Sequence, residues 1–440
     1  HNTIEDHRKN VDIIRSLEKK YNHPTCILAD LQGPKLRIGN FTNKKENLKR
    51  GERFTFDLNN NPGNKSRVNF PHPEIYEMLT PNTFILINDG KLKLQIIEQK
   101  KDSLIAEVLN DGEISDNKGV NIPDAILPIS SLTLKDKGDL NKALDMGADW
   151  IALSFIQTVD NVRELKNLVG SKASIMAKIE KPSALKNIKE IIKEADGIMI
   201  ARGDLGVELP PENVPSIQKT IINECREAGK PVVVATQMLE SMINNPTPTR
   251  AEASDVANAV YDGADAVMLS GESAIGKYPV ETVTIMNKII ESVEKDKENY
   301  NMAVHEEISS LKKINTSDAI TSAAYTISQN AGAKAIITFS VSGGTTSRMS
   351  KERAPVQIIG ISPNINTARK LQIMWGVHSC HNQDASDTKE MVSIACSVAK
   401  DKKITMPGDS VIITAGVPFG HAGSTNLLRI AKIIADKDLT

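Results

Sequence analysis

Between residues 122 and 298 the chain alternates short apolar runs with amphipathic helical stretches, and this rhythm restricts the fold more than any other feature of the sequence. The runs are Trp150–Phe155, Ser174–Lys178, Gly197–Ala201, Val232–Ala235 and Ala266–Leu269. Stretches such as 183–195 and 216–229 carry apolar residues at helical spacing between them. Strands that alternate with helices pair in parallel through right-handed crossovers. The ends of the runs are polar: Lys178 with Glu180, Arg202 with Asp204, Thr236 with Gln237, Ser270 with Glu272. In a β/α barrel the chemistry collects at those C-terminal ends. An earlier run, Cys26–Ala29 closing on Asp30, makes six candidate barrel strands. A closed barrel of this type takes eight. The first two are therefore expected upstream of His1, which stands where Met would open a chain.

The flanking texture is different. Residues 5–20 read as an amphipathic helix, with Val11, Ile13, Ile14 and Leu17 on one side. From 40 to 121 short alternating strands are punctuated by Asn, Gly and Asp, as expected of a small all-β module inserted after the third barrel strand. Its Asn/Lys-rich pieces, 43–50 and 59–65, read as solvated loops. From 299 to 440 helical stretches (317–331, 388–400, 424–436) alternate with strands at 335–340, 356–362 and 410–416, a separate α/β domain. The barrel domain is thus expected over 1–39 plus 122–298.

Composition closes off several functions. Lys and Arg number 54 against 55 Asp and Glu, which argues against nucleic-acid binding by bulk charge. No run approaches the roughly 18 apolar residues of a membrane span. The four cysteines lie far apart, without CxxC or zinc spacing, and point to a reducing, cytoplasmic setting. His378 and His381 lack the carboxylate or cysteine partners of a metal site. Aromatics are 4%, so the cores are expected to be mainly aliphatic.

Three strand ends can carry chemistry. In IMAKIEKP (175–182), Lys178 and Glu180 are two residues apart, so both side chains face the barrel mouth. A Lys beside a Glu there suits an anionic substrate and a metal, although a structural ion pair has the same pattern. In RGDLG (202–206), two glycines free backbone N–H groups for a carboxylate or phosphate, and Asp204 beside Glu180 would offer two oxygens to a hard divalent ion. Asp-Gly is also an ordinary turn. In VVVATQMLESM (232–242), Thr236 can bring a hydroxyl to a reacting carbon. TRAEASDVANAV (249–260) opens a helix whose apolar residues pack.

Together with ADLQGPKLRIG, INDGK, KGVNIP, DWIALSFIQ, PTPTRAEASDVANAVYDGADAVMLSGESAIGKYPVE and PGDSVIITAGVPFGHAGSTN, these segments resemble the pyruvate kinase family over essentially the whole chain. The resemblance implies a TIM (β/α)8 barrel, an inserted small β-barrel lid and a C-terminal α/β domain. It implies phosphoryl transfer from phosphoenolpyruvate to ADP, giving pyruvate and ATP in glycolysis, with Mg²⁺ or Mn²⁺. By position, Lys178 resembles the lysine that bridges the transferring phosphoryl, and Glu180 and Asp204 the metal ligands. Gly203 and Asp204 match the backbone that receives the substrate carboxylate, and Thr236 the threonine beside the enolate methylene. Arg37, Lys118 and Asp89 match nucleotide-side positions. The family's Arg-x-Asn-x-Ser-His-Gly motif would end at His1, with Asn2 in place of the Gly.

The resemblance also bears on regulation. Family members that need potassium carry Thr and Glu where this chain has Leu31 and Lys35. The Lys35 ammonium is expected to replace the monovalent ion, so that potassium is not required; a Lys that points to solvent beside the lid hinge has the same sequence. The loop SVSGGTTSR, with Ser342, Gly343, Thr345, Thr346 and Ser347, is a candidate nest for a phosphorylated effector, closed by HAGSTN (421–426) at the start of a helix. A homotetramer is expected. The competing readings are another phosphoenolpyruvate-type barrel that cleaves or forms carbon–carbon bonds, disfavoured by the ADP-facing insertion, and a catalytically silent homologue that only binds a phosphorylated effector.

Overall fold

The computed structural model describes residues 3–123, 125–126, 128, 130–296, 315–420, 423 and 425–434. The barrel/C-domain boundary read at 298–299, most of the 421–424 segment and His1–Asn2 lie outside the described residues.

Six strands, Leu28–Asp30, Trp150–Leu153, Ser174–Ile179, Gly197–Ala201, Val232–Ala235 and Ala266–Val267, pair in parallel in chain order. No pairing closes the first onto the last among the described residues. Period-2 alternation sorts their side chains. Ile151, Leu153, Ile175, Ala177, Ile198, Ile200, Val232 and Val234 pack outward against the helices. Trp150, Ala152, Met176, Met199, Val233 and Ala235 form a second cluster on the inner face. Each fully buried aliphatic side chain contributes about 1.5–3 kcal/mol, so this sorting fixes the register. The same alternation extends the inner row past the strand ends. Ala152 leads to Ser154, Met176 to Lys178 and Leu28 to Asp30, so the inner face ends in polar groups.

The helix Ile4–Tyr21 begins with a capping box between Thr3 and Asp6 and ends on Asn22 in the left-handed region. The 183–195 stretch is two helices, Pro182–Lys186 and Ile188–Glu194, because Asn187 leaves helical geometry with φ −115° and ψ 20°.

The insertion is a six-stranded sheet plus the antiparallel pair Lys45–Leu48 with Gly112–Ser115. Lys45–Leu48 is therefore a strand rather than a loop; Leu48 is buried, while Lys45 and Asn47 face solvent. The core of the insertion is mainly aliphatic, as expected, but it also holds five aromatic side chains. Phe54, Phe56 and Phe70 meet edge to face with centroids 5.4 and 5.9 Å apart, and Tyr76 packs on Phe70. Phe41, Phe54, Phe56, Phe70 and Tyr76 meet in this one core.

The C-terminal sheet runs Val377–His381, Gln357–Ser362, Ala335–Phe339, Ser410–Ala415, Leu427–Lys432. Its last strand corrects the helix expected over 424–436; 424 and 435–436 lie outside the described residues. Leu427–Lys432 pairs antiparallel with Ser410–Ala415 over six residues. A short apolar run fits either period, and the unpaired edge of Ser410–Ala415 selects the extended one. Arg369 joins this domain to the barrel by a two-pronged ion pair with Glu18, its Nη2 lying 2.6 Å from Oε1. Arg353, buried against Trp375, reaches Gly263 O at 2.7 Å.

Candidate active site

At the C-terminal end of the barrel the inner row converges on one cation. Lys178 Nζ lies 3.0 Å from Glu180 Oε1, 3.1 Å from both oxygens of Asp30 and 2.8 Å from Ser154 Oγ. The Lys178 side chain is 13% exposed and that of Glu180 2%. Burial alone would pull the ammonium pKa down, but Glu180 and Asp30 outweigh it and hold it above the ordinary value. The group is a permanent cation, not a neutral nucleophile. Burial pushes Glu180 up; Lys178 opposes that and nearby Asp204 adds to it. Glu180 Oε2 accepts from the Phe155 amide at 2.8 Å. That amide is turned inward by Phe155 at φ +54°, a strained backbone typical of functional sites.

Asp204 lies in the first turn of the short helix Arg202–Glu208. Gly203 N donates to Thr236 Oγ1 at 2.7 Å. A Cβ on Gly203 would stand 3.2 Å from that oxygen, so the glycine permits the approach. Thr236 and Gln237 both have positive φ, +69° and +55°. For a β-branched residue this is costly, and Arg202 braces it by donating to Thr236 O at 2.9 Å while pairing with Asp255 at 2.6 Å.

Of the three residues expected on the nucleotide side, Arg37 and Lys118 sit where the insertion joins the barrel. Arg37 bridges to Gly119 and its Nη1 donates to Asn117 O at 2.8 Å; the Lys118 carbonyl accepts from Ile38 N. Asp89, exposed at φ +55°, occupies the turn between the strands Phe84–Ile87 and Leu92–Gln99. A Cβ on the adjacent Gly90 would lie 3.7 Å from Val207, so this hairpin reaches over the helix that bears Asp204. Lys35 is exposed at the hinge, with Cε 3.2 Å from a Cβ built on Gly119, while Leu31 is buried.

In the C-terminal domain the five loop residues divide. Ser342 and Thr345 line a concavity with Gly344, Asp384 and Gly420. Gly343, at φ +90°, only turns the chain into the helix Gly344–Lys351. Thr346 bonds inward to Thr338 at 2.7 Å, and Ser347 points to Gly229 O of the barrel at 3.4 Å.

Sequence reading did not assign roles to Ser154, Phe155, Lys181, Glu208 or Asn121. Ser154 was within reach by extending the inner row two residues past Ala152. The positive φ of Phe155 has no sequence signal. Among the described residues no cluster of three or more His, Cys, Asp or Glu forms a metal site, so any divalent ion here would rest on two carboxylates and its other ligands.

Two family profiles match the chain: "Pyruvate kinase, barrel domain" over residues 1–283 and "Pyruvate kinase, alpha/beta domain" over 318–431. A pyruvate kinase of Methylorubrum extorquens is 48% identical over 421 residues, covering 96% of this chain and 88% of the relative. One of Clostridium perfringens is 40% identical over 443 residues, covering 98% and 92%. The crystal structure of a pyruvate kinase from Cryptosporidium parvum superposes with a TM-score of 0.92 at 34% identity, covering 98% of this chain and 89% of that one. Matched in order by both profiles and over nearly its whole length by these relatives, the chain belongs to the pyruvate kinase family, the phosphotransferases that carry phosphoryl from phosphoenolpyruvate to ADP.

Proposed function

We propose that the phosphoryl transfer of this family is carried in this chain by Lys178, Glu180, Asp204, Gly203 and Thr236. The observation that carries the assignment is the buried, permanently charged Lys178 in contact with Glu180 and Asp30. Phosphoryl transfer needs charge neutralisation and alignment more than covalent chemistry, and a cation fixed by two carboxylates supplies both.

The family's reaction depends on a divalent metal. The residues fit one. Glu180 is destabilised as an anion by burial and by Asp204, and its partner Lys178 is shared with Asp30. Glu180 and Asp204 would hold Mg²⁺ or Mn²⁺ through hard oxygens, with open positions for substrate oxygens and water. Such an ion draws charge from the phosphoryl and enolate oxygens. The Gly203 amide, now satisfied by Thr236 Oγ1, is the donor the substrate carboxylate takes over. The Thr236 hydroxyl then lies at the face of the substrate where a proton is delivered.

The insertion acts as a lid over 40–121, with Asp89 on its hairpin and Arg37 and Lys118 at its hinge toward ADP. Closing it excludes water, which would otherwise take the phosphoryl. Lys35 in place of Glu and Leu31 in place of Thr support activity without potassium. The concavity at Ser342 and Thr345 is read as the seat of a phosphorylated effector, in a homotetramer in the cytoplasm. No helix among the described residues is long and apolar enough to cross a membrane. A coupled pyruvate-release assay with and without ADP tests the central reading. ADP-dependent release is expected; effector binding without pyruvate release would identify a silent homologue.

A further inference from the structure

We propose that Glu208 is a positioning residue that latches the lid hinge to both segments carrying the metal-binding carboxylates. This rests on the phosphoryl-transfer reading above. Glu208 lies four residues after Asp204 in the helix Arg202–Glu208, on the same helical face. Its side chain is 1% exposed and accepts from two directions. Lys181, next to Glu180 and 8% exposed, places Nζ 3.1 Å from Oε1. Asn121, in the lid strand Val120–Asn121, donates Nδ2 to the same oxygen at 2.9 Å. One carboxylate oxygen thus ties together the strand end that presents Glu180, the helix that presents Asp204 and the lid.

The arrangement is more than a buried ion pair. Lys181 with Glu208 would satisfy charge without Asn121, and a lid hinge needs no buried polar contact to the barrel. Glu208 Oε2 is buried with no hydrogen-bond partner among the described residues. A buried acceptor left open costs stability, so it persists where something else holds the geometry or a donor arrives. At the other end of the lid, Gly90 sits against Val207, the neighbour of Glu208. Hinge and hairpin therefore both bear on the last turn of this helix. A change in lid angle is transmitted to Asp204 through one rigid turn, and the placement of Asp204 biases the lid.

The test uses the full chain and begins at Asn121, whose substitution leaves the Lys181–Glu208 pair intact. Asn121→Ala removes one donor. Asn121→Asp keeps the size but sets a carboxylate against Glu208. Two readouts are taken: amide hydrogen exchange over 117–122 and the Michaelis constants for ADP and phosphoenolpyruvate. A hydrogen bond to a charged acceptor should slow local opening, so Asn121→Ala is expected to speed exchange roughly tenfold. The KM for ADP should rise roughly fivefold or more while that for phosphoenolpyruvate stays within about twofold. Asn121→Asp should exceed Asn121→Ala in both. Unchanged exchange, equal movement of the two constants, or an Asp variant no worse than the Ala variant would overturn the latch. Wild-type protein that releases no pyruvate would overturn the phosphoryl-transfer reading instead, and the exchange comparison would still decide the latch.

Discussion

The chain contains two largely parallel sheets flanked by helices, and their C-terminal edges end in different materials. The barrel edge gathers formal charges: Lys178, Glu180, Asp30 and Asp204, with ion pairs near 3 Å and strained residues at Phe155 and Thr236. The edge of the C-terminal sheet gathers hydroxyls. Thr338 bonds Thr346 at 2.7 Å and Thr345 bonds Thr425 at 2.8 Å, all four buried. Parallel sheets favour ligand sites at this edge in both cases. Under the functions proposed for them, what differs is the work. Moving a phosphoryl group demands buried charge held against its desolvation cost, whereas seating one demands only neutral donors and open backbone.

Discharging the barrel edge should have the greatest consequence. Lys178→Met keeps the stem and removes the ammonium; kcat should fall by about 10³-fold or more, with a much smaller change in the KM for phosphoenolpyruvate. A variant retaining a tenth of the turnover would remove Lys178 from the role. Glu180→Gln should cost roughly 10²-fold and shift the Mg²⁺ activation curve to higher concentration, with circular dichroism unchanged. An unshifted metal titration would place the ion elsewhere.

The next experiment sharpens how that edge balances its charge. If Lys35 has the role proposed for it, wild-type activity in sodium-, potassium- and ammonium-free buffer at constant ionic strength should rise less than about tenfold on adding K⁺. Lys35→Glu with Leu31→Thr should create a potassium requirement. A large K⁺ activation of the wild type contradicts the role given to Lys35.

One joint between the two regions is the ion pair of Glu18 with Arg369. Burial pushes the Glu18 carboxyl up, but Arg369, the Thr25 amide and Arg15 outweigh it and hold it below its ordinary 4.5. A lowered folded value gives stability that is complete above about pH 4.5 and is lost as pH falls through the folded value. Glu18→Gln should therefore lower the denaturation midpoint at pH 7 by the equivalent of about 1–2 kcal/mol. The gap to wild type should close in acid, and a gap that widens there would contradict the pairing. The smallest expected effect is at the neutral edge. A sugar phosphate or nucleoside monophosphate should raise the melting temperature by a few degrees. Ser342→Asp should abolish that shift and change basal kcat by less than about twofold. A flat thermal-shift panel with unchanged kinetics would leave the concavity without an effector.

The alternation of apolar runs with helical patterns, their polar endings, the two-residue spacing of Lys178 and Glu180 and the all-β texture of the insertion were determined by sequence alone. These are local properties, written in periods of 2 and 3.6 residues. The rest depended on which segments met in space. Leu427–Lys432 became a strand because a neighbouring edge needed a partner, although its residues fit a helix equally well. Phe41, Phe54, Phe56 and Phe70 met within the mainly aliphatic core of the insertion because distant strands brought them together. Asp30 and Ser154 joined Lys178 from positions 148 and 24 residues away. Phe155 and Thr236 took positive φ because the surrounding contacts outweigh the local preference. Charge partners and backbone strain depend on which strands lie side by side, and no local period in a sequence encodes that.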